Sequence, residues 1–302
     1  MTAETAVAST DVKHRSQRAE TVALLLRNPL AMIAGLVLLA LIAAALFGTA
    51  LAPYGYNEVD VANRLQAPSA THWFGTDELG RDVFSRVVLG ARASLQVGAV
   101  AVGISLVAGV TIGLVAGYFG RWLDDVLMRF TDVLFAFPAI LMAIVVMAIL
   151  GAGMTNAMIA IGIVYTPIFA RITRASVLGV REEVFVRAAR AAGADDTRIM
   201  IRHVLPNVAA PIIVQTSISL AFAILSEAAL SFVGLGTQPP DPSWGRMLSE
   251  GRGFLEQAWW MALFPGIAIF VTVLSFNILG DALRDVLDPR QRSAISGKGV
   301  TA

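Results

Sequence analysis

The sequence predicts an all-α, polytopic membrane protein with six transmembrane helices, and three observations carry that prediction. Hydrophobic residues make up 56% of the 302-residue chain and charged residues 15%, with a mean hydropathy of +0.70. Soluble domains run at roughly 45–50% apolar with glycine counted, and about 25% charged. Six apolar stretches, at about residues 30–51, 93–117, 130–150, 156–172, 208–233 and 259–281, are candidates to cross a bilayer. Lys and Arg are also distributed unevenly between the two sets of segments that connect these stretches. The 23 basic and 22 acidic residues nearly cancel and no low-complexity basic arm appears, so nothing points to nucleic acid. The absence of Cys excludes disulfides and thiolate chemistry.

The first span opens with Asn28 as N-cap and Pro29 at the first helical position, where a missing N–H costs nothing. Its 22 residues at ~1.5 Å rise reach about 33 Å, which matches a hydrocarbon core of roughly 30 Å. A tail with Lys13, His14, Arg15, Arg18 and Arg27 precedes it, and no small-residue cleavage site follows, so it reads as a retained span and not a signal peptide. Residues 79–92 (LGRDVFSRVVLGAR) alternate apolar and charged residues at helical spacing, which predicts an interfacial helix lying along the outer surface before span two enters. Span four is the shortest. With the N-terminus placed in the cytoplasm, the inner segments hold seventeen Lys and Arg and the outer ones six, three of which crowd the entry to span two. Trp73, Trp122, Trp259 and Trp260 fit interfacial belts.

The inner segment between spans four and five is the most structured polar stretch. Residues 181–192 read as an amphipathic helix with Val184, Phe185, Ala188, Ala189 and Ala192 on one stripe. Glu183, Arg187 and Arg190 lie opposite, with Glu183 and Arg187 spaced to pair. Gly193 sits where a helix ends with φ above zero, Asp195 or Asp196 can cap a second helix running through His203, and Pro206 stops it. Two short helices hinged at a glycine, with small alanines that permit close backbone approach, suit a groove on a partner. The plainer alternative is an ordinary inner loop that is basic because inner loops are.

Order and spacing favour the first reading. Arg187, Ala188 and Ala189, then Gly193, then His203, then Leu205 and Pro206 resemble the cytoplasmic signature of binding-protein-dependent ABC importer permeases: Glu-Ala-Ala, three residues, Gly, nine residues, Ile, one residue, Leu-Pro. Arg187 stands in place of the acidic residue and His203 in place of the isoleucine. The blocks WFGTDELGRDVFSRVVLGAR (73–92), GYFGRWLDDVLMRFTDVLFAFP (117–138), LSFVGLGTQPPDPSWG (230–245) and NILGDALRDVLDPR (277–290) resemble the C-type permease of dipeptide, oligopeptide and nickel importers.

The resemblance implies a type I ABC importer transmembrane fold with a cytoplasmic coupling helix, in the cytoplasmic membrane of a bacterium or archaeon with both termini inside. It implies a tail at 1–27, a first span and extracytoplasmic loop at 28–91, a permease domain at 92–283 with a coupling segment at about 178–206, and a tail at 284–302. The implied partners are a second, homologous permease, two ATPase subunits beneath, an extracytoplasmic substrate-binding protein and membrane lipid. The ATPase-coupling residues would be Glu183, Arg187, Ala188, Ala189, Gly193, Ala194, Asp195, Leu205 and Pro206. ATP and Mg would be used by the partner subunits, with no cofactor or metal held by this chain. In agreement, no phosphate-binding G-x-x-x-x-G-K-[ST] loop occurs; the only Gly-Lys, at Gly297 and Lys298, is followed by Gly299.

Enzymatic readings find little to build on, because the three histidines, His14, His72 and His203, all lie outside the spans. Ser217, Ser219 and Ser226 read as packing or backbone-bonded residues, and Asp124, Asp125 and Asp132 as a solvated inner loop. Glu227, deep in span five, is a pathway or gate candidate or a carboxyl bonded to a neighbouring span, and Asn277 in span six poses the same choice. Pro138, Pro167, Pro211 and Pro265 mark kinks. The Gly- and Pro-rich outer loop at 234–252, anchored by Trp244, is expected to contribute to an outer gate or to docking of the binding protein. The cargo reads as dipeptides or oligopeptides, with nickel or another small solute as the alternative. A proton- or sodium-driven transporter would favour related halves, and no convincing repeat is visible. A membrane scaffold would leave the glycine-hinged helices without a use.

Overall fold

A computed structural model of the chain describes residues 24–287, so most of each predicted tail, with Gly297 and Lys298, lies outside the described residues. Helix α1, Pro29–Leu51, begins where Asn28 accepts from the Leu30 and Ala31 amides at 3.1 and 3.2 Å, with Pro29 at its first position. It packs mainly on the helices Val83–Phe119 and Trp260–Leu287, and most of its apolar side chains, Leu36 and Leu46 among them, are exposed, as expected of a helix facing lipid.

Span two differs from expectation. The predicted interfacial helix does not exist as a separate element: α2 runs unbroken over Val83–Phe119, 37 residues. At ~1.5 Å per residue it is about 55 Å long, so it must project well beyond a hydrocarbon core of roughly 30 Å. Its start was legible, because Asp82 caps it by accepting from the Ser85 amide at 2.7 Å. The alternating segment is amphipathic because its first turns are buried in protein at the end of the bundle.

Span three is also corrected. Helices α3 (Arg121–Phe135) and α4 (Ala139–Leu150) meet at 91°, where Pro138 excludes Phe137 from helical geometry and cannot donate to the preceding turn. Helix α5, Met154–Val180, extends the short fourth span to 27 residues and carries Pro167 in its interior. Helices α6 (Val184–Ala191) and α7 (Asp196–Ile199), a π-turn at Met200–Val204 and α8 (Leu205–Asn207) form the predicted elbow. Helix α9, Ala209–Phe232, and α11, Trp260–Leu287, complete the spans. The supposedly irregular loop between them contains α10, Trp244–Gly251, capped by Ser243.

Five of these helices are long and apolar enough to cross a membrane, and the bent α3–α4 pair would make a sixth span. The core runs along α2 and α5, the most extensively packed pair. A Cβ at Gly113 of α2 would overlap the Ala170 carbonyl and the Thr173 side chain of α5, so glycine there sets how closely the two backbones approach. Val97, Ile161, Phe169 and Val177 fill the seam, and α9 closes it.

Candidate functional site

The elbow is built from its termini inward. Helix α6 ends at Ala192, and Gly193 follows at φ +84°. The Gly193 amide donates to Arg190 O at 3.0 Å and the Ala194 amide to Ala189 O at 3.1 Å, the paired bonds of a Schellman stop. Ala189 and Ala194, the two residues such a stop brings together, are half-buried against the main core. Asp195, and not Asp196, then caps α7 by accepting from the Arg198 amide at 3.0 Å. Pro206 does not end the helical run. The Leu205 amide reaches back five residues to Met200 O, and this wider π-turn admits a proline that lacks an N–H and would crowd the carbonyl of the previous turn. The run ends at Asn207, whose side chain donates to His203 O at 2.6 Å.

The elbow is moored to the bundle by side chains the sequence did not single out. Val186, Ile199 and Val204 are fully buried in the main core, while Val184 and Phe185, which were expected on the apolar stripe, are 68% and 41% exposed. Tyr118, on the last turn of α2, donates to Asp196 Oδ1 at 2.6 Å and accepts from Arg190 Nη2 at 3.1 Å. Arg181 Nη1 donates to Gly117 O at 2.7 Å. The expected Glu183–Arg187 ion pair does not form: Glu183 is the extended N-cap residue of α6, and its carbonyl, not its carboxylate, accepts from the Val186 and Arg187 amides at 3.1 and 3.2 Å. Arg187 and Ala188 are left on an exposed face with Val184, Phe185 and Pro206, while Leu205 is half-buried against the core. Nearby, Arg174 grips Asp124 bidentately at 2.5 and 2.6 Å, and Arg171 donates to Asp132 at 2.6 Å, so two of the three aspartates are paired with α5.

At the opposite end the chain closes on itself. Arg81 Nε donates to Asp77 Oδ2 at 2.6 Å, Arg86 Nη2 to Glu250 Oε2 at 3.0 Å, and Arg246 Nε to Glu250 Oε1 at 2.9 Å. This network accounts for two of the three arginines that crowd the start of span two, Arg81 and Arg86. Trp260 is buried with its Nε1 donating to Thr76 O at 3.0 Å, so of the four predicted belt tryptophans it is the one that does not face outward. Trp244 is no loop anchor: it is fully buried, with Nε1 donating to Val87 O at 2.9 Å. Glu227 is buried beside it. Its carboxylate accepts from Ser231 Oγ at 2.7 Å and Ser94 Oγ at 3.4 Å, joining α9 to α2. Asn277 is half-buried and donates to Val273 O of its own helix at 3.0 Å. Ser226 meets Tyr165 at 3.0 Å and Ser219 accepts from Gln215 at 3.0 Å, as packing residues would. Among the described residues no group of three or more His, Cys, Asp or Glu could hold a metal ion.

A helical bundle whose inter-span elbow is moored inside and exposed outside defines the class: a multi-pass membrane subunit built for contact with another protein. The same fold is seen in solved structures, namely the inward-facing MetNI methionine ABC transporter (TM-score 0.54, 18% identity, covering 67% of this chain and 97% of that one) and an amino acid ABC transporter with histidines (0.52, 17%, 68% and 95%). The chain belongs to the family described as binding-protein-dependent transport system inner membrane component, which matches residues 109–293. Residues 16–68 match the N-terminal TM domain of oligopeptide transport permease C. It is 51% identical to the dipeptide transport system permease protein DppC of Alkalihalophilus pseudofirmus, with 88% of each chain covered. Against the glutathione transport system permease protein GsiD it is 46% identical for Pectobacterium atrosepticum (89% of each) and 48% for Escherichia coli (87% and 88%).

Proposed function

We propose that this chain is one of two permease subunits of an ATP-driven importer of short peptides, lining half of the pathway, with a second homologous permease, two ATPase subunits and an extracytoplasmic binding protein as its partners. The elbow and both termini face the cytoplasm. The observation that carries the reading is the elbow's two-sidedness: Val186, Ile199 and Val204 fix it to the core, while Val184, Phe185, Arg187 and Ala188 stay uncovered. An ATPase clasping that exposed face would move the core with it, because Tyr118 ties the elbow to α2. Helix α2 in turn reaches Arg86 and the network at the far end, so one rigid element touches both ends of the bundle. Rocking of rigid spans driven by nucleotide at a neighbour is a known form of two-state switching. The subunit itself would catalyse nothing. Relatives named for dipeptide and glutathione transport support a peptide cargo.

The test is co-expression with the neighbouring permease, ATPase and binding-protein subunits, purification, and ATP-driven dipeptide uptake in proteoliposomes. Gly193→Val should abolish uptake while membrane insertion is retained, since a β-branched residue resists the positive φ that Gly193 adopts. Peptide uptake by this chain alone under an ion gradient would overturn the reading. So would wild-type uptake in the variant.

A further inference from the structure

A recess of about 530 Å³ opens at the end opposite the elbow, between the C-terminal end of α1, the first turns of α2, the start of α5 and the segment 237–242. That size falls in the ~300–1,000 Å³ range of small-molecule sites. Its lining carries one cation and one carboxylate, Arg92 and Asp241, both exposed and neither in an ion pair among the described residues. Arg92 stands near the start of α2, at the end that projects beyond the hydrocarbon core, where it is exposed and free to meet a charged ligand. This contrasts with Arg81, Arg86 and Arg246 close by, which are all paired. Gln96, Thr237 and Gln238 add neutral polar groups to the same lining.

The wall that carries Asp241 is held in place. Ser231 Oγ accepts from the Thr237 amide at 3.1 Å while donating to Glu227 Oε1 at 2.7 Å, and the Gly153 amide donates to Leu235 O at 2.9 Å. Glu227 therefore acts on this recess through Ser231, as a positioning residue that does not itself line it.

We propose that this recess receives the peptide on its way in, with Arg92 taking the α-carboxylate and Asp241 the α-ammonium of a di- or tripeptide. The proposal rests on the peptide-importer reading above. A site whose lining bears both charges and neutral polar groups matches a short zwitterion with a backbone amide better than a metal ion or a neutral solute.

The test uses the assembled complex in proteoliposomes, with dialanine, its C-terminal amide and its N-acetyl derivative each supplied at concentrations that load the binding protein equally. Because the variants lie in the permease, the binding protein's own preferences cancel when variant and wild type are compared for the same peptide. Arg92→Gln should lower uptake of dialanine about tenfold and uptake of the amide by less than twofold. Asp241→Asn should do the same for dialanine against the N-acetyl derivative. Both side chains are exposed, so complex yield should not change. Equal effects on free and capped peptides would overturn the site while leaving the peptide reading intact. Losses that disappear in vesicles without zwitterionic headgroups would assign the recess to lipid and also overturn it. A wild-type complex that moves no peptide at all would remove both.

Discussion

The two ends of the bundle handle charge in opposite ways. At the end carrying α10, Asp77, Arg81 and Arg86 are each at most 4% exposed and answer one another and Glu250. At the elbow, Arg187, Asp195 and Arg198 are exposed, and the mooring depends on three buried aliphatics and one tyrosine. Removing a charge from a closed network leaves its partner buried and unanswered, whereas removing one from an open surface exposes nothing new. The first arrangement fixes a shape. The second presents a surface, and a surface is what a moving partner can grip.

The sharpest way to break this contrast is Arg86→Ala. Arg86 is 1% exposed and holds Glu250, Asp77 and the Tyr56 carbonyl, so its loss leaves Asp77 to Arg81 and Glu250 to Arg246 and Arg81, a network one cation short. Breaking a buried pair costs about 3–5 kcal/mol. The expected outcome is a large fall in folded yield and in the thermal midpoint of the detergent-solubilised protein. A midpoint unchanged within error would mean that the far end is as open as the elbow.

A smaller, local effect is expected at the elbow. Tyr118→Phe removes the bonds to Asp196 and Arg190 but keeps the ring. Since Asp196 and Arg190 are both exposed, water can replace the hydroxyl. The thermal midpoint should shift little. Uptake per ATP hydrolysed should fall several-fold, because the elbow would slip against α2. Loss of stability without loss of coupling would show that the tyrosine only packs.

How much of this was legible in the sequence differs between the ends as well. The elbow's glycine stop was readable, and its cap narrowed to Asp195 or Asp196, because both are local: the Schellman bonds link residues no more than five apart. Its anchors were not, since Val186 looks like any other residue of an amphipathic turn until α2 and α5 are placed beside it. At the far end the partners are remote in sequence, Arg86 from Glu250 and Trp260 from Thr76, so periodicity saw only arginines and a tryptophan near a membrane surface. Reading 79–92 as an interfacial helix came from the same gap: helical spacing was correct, but what buried the helix was a distant part of the chain. In the span between 130 and 150 the kink at Pro138 was readable, but hydropathy does not register how sharply the chain turns there, by 91°.

The smallest effect tests whether the far end is closed completely. Glu78 sits at the rim of the network; burial raises its carboxyl above the ordinary carboxylate range, the neighbouring charges of Asp77 and Glu250 push the same way, and Arg81 only partly offsets them. Its Oε2 is buried without a partner. A carboxyl whose pKa is higher folded than unfolded binds more protons in the native state between those two values, so stability must decline as pH rises from the unfolded value of about 4.5 through the folded one. Glu78→Gln keeps the shape and removes the titration. The variant should therefore match wild type at acidic pH and equal or slightly exceed it at neutral pH, as read from thermal midpoints between pH 4 and 8 in about half-unit steps. A variant less stable than wild type at neutral pH would mean that the Glu78 carboxylate is answered after all, by Arg81 at 3.4 Å, and that the rim is part of the closed network.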